Sequence, residues 1–261
     1  MIVFRKEDRM SHTASPLGAP TDKTVLLVGG TGRTGQRVLR RLLERGVAVR
    51  AVVRSAGRLP PGVAGDPRLT VVEADLLALD DEGLAAQVRG CEAVVSCLGH
   101  TISFKGVLGP PHDLVTRAAA RLCGAIRDSR PAAPVKFILM SSVSVDHPGA
   151  TGERRTAPER MLMRVLRSLV PPARDNQRAA DFLHAVIGAE DPHVRWVVVR
   201  PDTLREGEVS AYSLHERPVS SLFRPDNSRM SNVADFMCDL ATDDGSWDEW
   251  AGRLPVIVDR T

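Results

Sequence analysis

The sequence predicts an α/β fold: a mostly parallel, doubly wound sheet with helices on both faces. Two observations predict it. Short apolar runs alternate with helical patterns along the chain. Several of those runs are apolar throughout, as strands are when both faces of a sheet are covered. A third observation marks the ligand edge. The first run, Val25-Leu26-Leu27-Val28, ends in Gly29-Gly30-Thr31-Gly32-Arg33-Thr34-Gly35 and passes at once into a helical stripe of Val38, Leu39, Leu42 and Leu43.

The three spaced glycines have separate physical jobs. Gly29 lets the chain turn off the strand, and Gly32 lets backbone approach a pyrophosphate. Gly35 lets the helix pack close to the sheet. Free N–H groups at the helix start then face the phosphates. A strand before the glycines and a helix after them is the context that makes this a dinucleotide fingerprint and the sheet Rossmann-type. The alternative is a tight strand–helix turn with no ligand.

The rest of the chain follows in order. Val47 to Val53 reads as the second strand and Leu69 to Glu73 as the third. A helix from about Asp80 to Val88 ends at Gly90. Ala93 to Cys97 is the fourth strand. Gly106, Gly109, Pro110 and Pro111 exclude a long element before a helix over Leu114 to Arg127, capped by His112 or Asp113. Val135 to Met140 is the fifth strand. Two helical patterns, about Pro158–Leu169 and Arg174–Val186, are divided by Pro171-Pro172. Val194 to Val199 is the sixth strand. A helix near Val233–Leu240 and a last strand, Leu254 to Val258, close the chain. Residues 1–22 read as a flexible tail, with Met10 an alternative start. Residues 23–261 read as one domain whose end, from about 204, forms a small C-terminal substrate lobe.

Composition narrows the partners. The chain has 261 residues and a net charge of +3, too small to argue for nucleic acid. No apolar run is long enough to span a bilayer. Residues 1–22 lack the apolar core of a signal peptide, so the expected location is cytoplasmic. Cys91, Cys97, Cys123 and Cys238 have no paired metal spacing and read as buried thiols in a reducing compartment. The expected partner is a small-molecule substrate, with no metal, nucleic acid or membrane, on a monomer or homodimer.

NAD-binding domains of this type often carry an acid at the end of the second strand for the ribose hydroxyls. Here Arg54 stands there, with Arg58 four residues on. Guanidinium pairs with a 2′-phosphate that a carboxylate would repel. Arg33 can reach the same region, so the expected cofactor is NADP(H). Asp75, after the third strand, either accepts from an adenine amino group or caps its own turn.

With these residues in view, the chain resembles the atypical short-chain dehydrogenases of the NAD(P)H-binding, NmrA-like group, and within it the biliverdin reductase B or flavin reductase type. The similarity runs from Thr24 through most of the chain. Gly29 to Gly35 matches the family's phosphate loop, and Val53 to Leu59 matches a segment whose two arginines hold the 2′-phosphate. The resemblance implies further cofactor contacts at Thr31, Thr34, Asp75, Leu76, Cys97, Leu98, Gly99, Ser141, Pro201 and Thr203. It also implies an oxidoreductase.

The usual acid of many relatives, a Tyr-x-x-x-Lys pair after the fifth strand, is missing. The single tyrosine is Tyr212, and no lysine follows Lys136. By helix register Asn176 stands where the lysine would be and Pro172 where the tyrosine would be. Asn176 can hydrogen-bond an oxygen but cannot donate a proton as an acid. Ser142 is the best placed catalytic candidate, the alternative being a hydroxyl that satisfies strand-end backbone. His147 suits proton transfer near neutral pH, against a solvated loop residue. His100 is similar, and Asp146 and Asp175 also border the expected pocket. The Met161–Leu169 stretch is either core or an apolar lid. A protein without a strong acid favours flavin-like, quinone-like or other conjugated acceptors. A sensor that binds NADP without turnover, or an isomerase on the same fold, are the alternatives.

Overall fold

A computed structural model describes residues 4–5, 21–99, 112–147, 161, 170–221 and 223–260. The first half runs β1 (Phe4–Arg5), β2 (Thr24–Val28), α1 (Arg33–Glu44), β3 (Ala48–Val53), β4 (Leu69–Glu73), α2 (Asp81–Val88), β5 (Ala93–Ser96), α3 (Leu114–Ser129) and β6 (Val135–Met140). The second half runs α4 (Pro171–Phe182), β7 (Val194–Pro201), β8 (Thr203–Arg205), β9 (Tyr212–His215), β10 (Asn227–Arg229), α5 (Met230–Thr242), α6 (Asp244–Trp250) and β11 (Val256–Asp259).

The main sheet has the order β1-β9-β11-β7-β6-β5-β2-β3-β4. From β4 to β11 every neighbouring pair is parallel; β9 and β1 add antiparallel edges. Strand order reverses at β2, so α1 and α3 leave on opposite faces and a crevice opens at the carboxyl ends of β2 and β5. This is the doubly wound arrangement expected from the alternating pattern.

Side-chain alternation in each strand explains the two cores. Val25 and Leu27 point toward α1 and α5, where they join Val38, Leu42, Phe236 and Met237. Leu26 and Val28 point the other way, toward Leu122, Ile126 and Ala180 on α3 and α4. Burying each such side chain contributes about 1.5–3 kcal/mol, so one strand serves both layers. Helix α5 is fastened to α1 by Asp235, 1% exposed, which accepts from Arg41 at 2.7 Å and Arg45 at 2.9 Å.

Several expectations change. Pro171-Pro172 are themselves the first residues of α4, which begins three residues before the expected Arg174, where a proline lacks no hydrogen bond that a helix needs. After Phe182 the chain widens into a π-turn, Leu183–Ile187, instead of continuing as α-helix. Asp113 precedes α3 without a side-chain cap bond. Within the C-terminal part, β11 pairs with β7, β9 pairs with β11, and α5 covers the sheet beside α1. Phe4–Arg5, within the expected tail, pair with Leu214 and Ser213. The expected helix over Pro158–Leu169 lies outside the described residues except Met161, which is exposed. Among the described residues no helix is long and apolar enough to cross a membrane.

Candidate functional site

The loop between β2 and α1 is held by two close approaches. Gly29 has φ +79°, and a Cβ there would lie 2.6 Å from the carbonyl carbon and oxygen of Cys97. A Cβ on Gly35 would lie 2.1 Å from the Gly29 oxygen. Both positions therefore need glycine for internal reasons. Gly32 differs: a Cβ there meets only the Gly29 oxygen, at 3.3 Å. It is exposed and forms the N-cap of α1 with extended backbone. No side chain caps this helix, and its first turn contains no acid. The amides of Arg33, Thr34 and Gly35 thus start a helix without intrahelical acceptors. Thr34 itself is buried.

A second structure flanks this loop. Arg54 leaves β3 exposed, and a short 3-10 turn, Ala56–Arg58, carries Arg58. The turn is tied on both sides. The Ala56 N–H donates to Glu73 Oε2 at 2.8 Å. Gln36 Nε2 donates to the carbonyls of Thr31 and Arg58, each at 3.2 Å. Arg33 does not join Arg54 and Arg58. Its guanidinium pairs with Glu206 at 2.7 Å, and Arg37 binds the same carboxylate. The Arg33 hydrogen bond, with Arg37 beside it, holds the Glu206 carboxyl below the usual carboxylate range.

Of the two roles expected for Asp75, the turn cap is present: Oδ1 accepts from the Leu77 N–H at 3.0 Å. Leu76 turns its side chain into the α2–α4 core, leaving only backbone for a ligand. Cys97 is buried beneath Gly29, and burial pushes its thiol up to about 12. Leu98 is half-buried and Gly99 exposed. His100 lies outside the described residues.

The expected substrate side is at the carboxyl ends of β6 and β7. Ser142 and Thr203 line one cavity of about 240 Å³, together with Asp202, Pro218, Ser220 and Pro225. Ser142 Oγ accepts from the Ser144 N–H at 3.2 Å, which supports its loop but leaves the hydroxyl proton to donate. Ser141 Oγ is buried and has no hydrogen-bond partner among the described residues. Asp202 organises the cavity wall: its carboxylate accepts from the Ser220 hydroxyl, and from the Asp226 N–H at 3.2 Å. Pro201 ends β7, and its carbonyl accepts from the Val143 N–H at 2.9 Å. Arg200, fully buried, donates to the carbonyls of Val145 (2.8 Å), Leu254 (2.9 Å) and Glu216 (3.0 Å). It thereby locks the Ser141–Val145 loop against the β11 side of the sheet.

The other catalytic candidates stand apart from this cavity. His147 packs edge-on against His184, ring centroids 5.9 Å apart, and His184 packs on Trp196. Gln177 clips that loop to α4 through the N–H and carbonyl of Asp146 (2.9 and 3.2 Å). Asn176 is half-buried on α4 and is absent from the cavity wall. Asp175 does not border the pocket: it is 1% exposed and accepts from the amides of Val115 (2.7 Å) and Thr116 (3.0 Å). It caps α3 from another helix. Tyr212 is buried against Phe236, its hydroxyl 3.5 Å from Asp239. The sequence reading missed Gln36, Glu73 and the wall-forming role of Asp202. Only Asp202 had a signal, its place directly after a strand end.

Comparison with other proteins agrees with this fold. A model of the NAD(P)H-binding family matches residues 29–244. An uncharacterized chloroplastic protein of Arabidopsis thaliana is 28% identical over 216 residues, covering 79% of this chain and 74% of its own. A short-chain dehydrogenase/reductase from Veillonella parvula, solved in complex with NADP, superposes with TM-score 0.63 and 18% identity over 91% of this chain and 94% of its own. A proposed NADH-flavin reductase from Streptococcus pneumoniae gives TM-score 0.61 and 14% identity over 91% and 100%. At these identities the solved structures speak for the fold alone.

Proposed function

The chain belongs to the NAD(P)H-binding family, and from that premise we propose that it is an NADP(H)-dependent reductase of the atypical short-chain type, acting on a flavin-like, quinone-like or other conjugated substrate. One observation carries the reading: the first turn of α1 is uncapped and free of acids, and arginines instead of an acid stand at the end of β3. The residues present fit the cofactor. The Gly29–Gly35 cradle keeps backbone amides open to a pyrophosphate, as the close approaches at both glycines support. Arg54 and Arg58 would pair with the 2′-phosphate. The unpartnered Ser141 hydroxyl suits the nicotinamide end.

When bound, the cofactor supplies the hydride. The chain's own residues position the acceptor. Ser142 donates a hydrogen bond to the acceptor oxygen or nitrogen that gains charge as hydride arrives. A donor that binds more strongly at that point lowers the barrier. Serine is too weak an acid to release the proton, so water delivers it. His147 is held at His184, away from the Ser142 cavity. Four buried free thiols suit a reducing compartment such as the cytoplasm.

The test is NADPH oxidation with menadione or flavin mononucleotide as acceptor, followed by absorbance. Saturable turnover with NADPH preferred over NADH is expected. Tight binding of both oxidised and reduced cofactor without turnover would turn the reading into a redox sensor.

A further inference from the structure

We propose that Gln36 is the positioning residue for NADPH selectivity, acting by holding the Arg58 turn against the phosphate loop without itself touching the cofactor. This rests on the cofactor reading above. Gln36 is the residue after Gly35 in α1, and its backbone N–H donates to the Gly32 carbonyl at 2.8 Å, so it is an ordinary helical residue. Its side chain leans back toward the helix start, as helical side chains do. There its amide nitrogen meets the carbonyls of Thr31 and Arg58, each at 3.2 Å. An amide NH₂ has two protons, so one group satisfies both acceptors at once. The side chain therefore joins the pyrophosphate loop to the turn that presents the arginine.

That join matters because, beside the packing of Leu59 on the core and the burial of Pro60, few contacts fix the turn itself. None of the residues Ala56–Arg58 is buried. Its internal bonds, Arg58 N–H to Ser55 (3.3 Å) and Leu59 N–H to Ala56 (3.0 Å), shape it but do not locate it. Glu73 locates the Ala56 end from β4, at 2.8 Å. Gln36 locates the Arg58 end from α1. A guanidinium already in place binds a phosphate without first losing the freedom of its backbone; a loose one must be ordered on binding. NADH has no 2′-phosphate, so it makes no use of the turn. Loss of Gln36 should therefore separate the two cofactors. Loss of a brace needed only by the phosphate loop would weaken both.

The experiment uses two near-isosteric variants. Gln36→Met removes the donors, and Gln36→Glu sets a carboxylate against two carbonyl oxygens. NADPH and NADH are titrated against each by cofactor fluorescence. Melting temperature and hydrogen exchange of the 55–59 backbone are measured on the chain without cofactor. In both variants the NADPH Kd should rise about tenfold, the loss of roughly one well-made hydrogen bond. The NADH Kd should stay within about twofold. Exchange at Arg58 and Leu59 should quicken while the melting temperature holds. Equal weakening of both cofactors, or an unchanged NADPH Kd in either variant, overturns the inference and leaves the cofactor reading standing. A wild-type chain with no preference for NADPH overturns the cofactor reading and the inference with it.

Discussion

Helices α1 and α3 both begin at the carboxyl edge of the parallel sheet, and their first turns are treated in opposite ways. At α3 the amides of Val115 and Thr116 are taken by Asp175, a buried carboxylate from α4, at 2.7 and 3.0 Å. The Thr116 hydroxyl adds a bond to the same carboxylate at 2.6 Å. At α1 no side chain caps the turn and no acid lies within it. Both ends carry the same partial positive charge from aligned peptide dipoles. One end is neutralised inside the protein, and the other is kept open behind a glycine loop. The difference teaches how to separate a structural helix start from a ligand-binding one: by what already occupies its amides. It also explains α4. This helix lacks the Tyr-x-x-x-Lys pair of many relatives, and Asp175 gives it a role as a tie to α3.

Perturbing the occupied end should cost the most. Asp175→Ala strips two amides of their acceptor inside the core, and unfolding free energy should fall by about 3 kcal/mol. Urea denaturation measures this. NADPH affinity of the folded fraction should be unchanged; a selective loss of affinity with normal stability would break the comparison. Perturbing the open end should do the reverse. Gly35→Ala pushes a Cβ to 2.1 Å from the Gly29 oxygen, so the loop must shift. The NADPH Kd should rise about 100-fold, some 2.7 kcal/mol, while circular dichroism stays native.

Arg54 sharpens the contrast further. In Arg54→Asp, NADPH binding should weaken about 10- to 100-fold more than NADH binding, since one charge-assisted contact is replaced by repulsion. Paired titrations read the ratio directly, and an unchanged ratio removes Arg54 from the 2′-phosphate site. Ser142 lies beyond both helix starts and gives the smallest effect. Ser142→Ala should lower turnover about tenfold and leave NADPH affinity alone. A normal rate with a lowered melting point would mean that its bond to the Ser144 N–H is its whole role.

Much of this architecture is legible in local pattern. Leu69–Glu73 and Val135–Met140 are bounded as strands by the residues that end their apolar runs. Asp80 caps α2 through a bond to the Gly83 N–H, a signal carried within four residues. Gly29 and Gly35 were readable because their constraint lies inside one short loop. What escaped is nonlocal. Asp175 meets α3 across about sixty positions, and nothing beside it in sequence marks it as a cap. Glu206 draws Arg33 away from the other arginines through a partner more than 170 residues distant. The pair Pro171-Pro172 signals a boundary, and only the fold shows that α4 begins on the prolines themselves. The C-terminal strands Thr203–Arg205, Tyr212–His215 and Asn227–Arg229 are three or four residues long, too short for periodicity to show. Their pairing with the sheet, or with one another, is set by the fold.

The contrast between the two helix starts can be tested at the amides themselves. Backbone resonances of Arg33, Thr34, Gly35, Val115 and Thr116 are followed by nuclear magnetic resonance as NADPH is added to the wild-type chain. The account predicts that the amides of Arg33, Thr34 and Gly35 shift and saturate with NADPH, while those of Val115 and Thr116, already bonded to Asp175, stay in place. Saturating NADPH that leaves the α1 amides unmoved, or that moves Val115 and Thr116 in their stead, would contradict it.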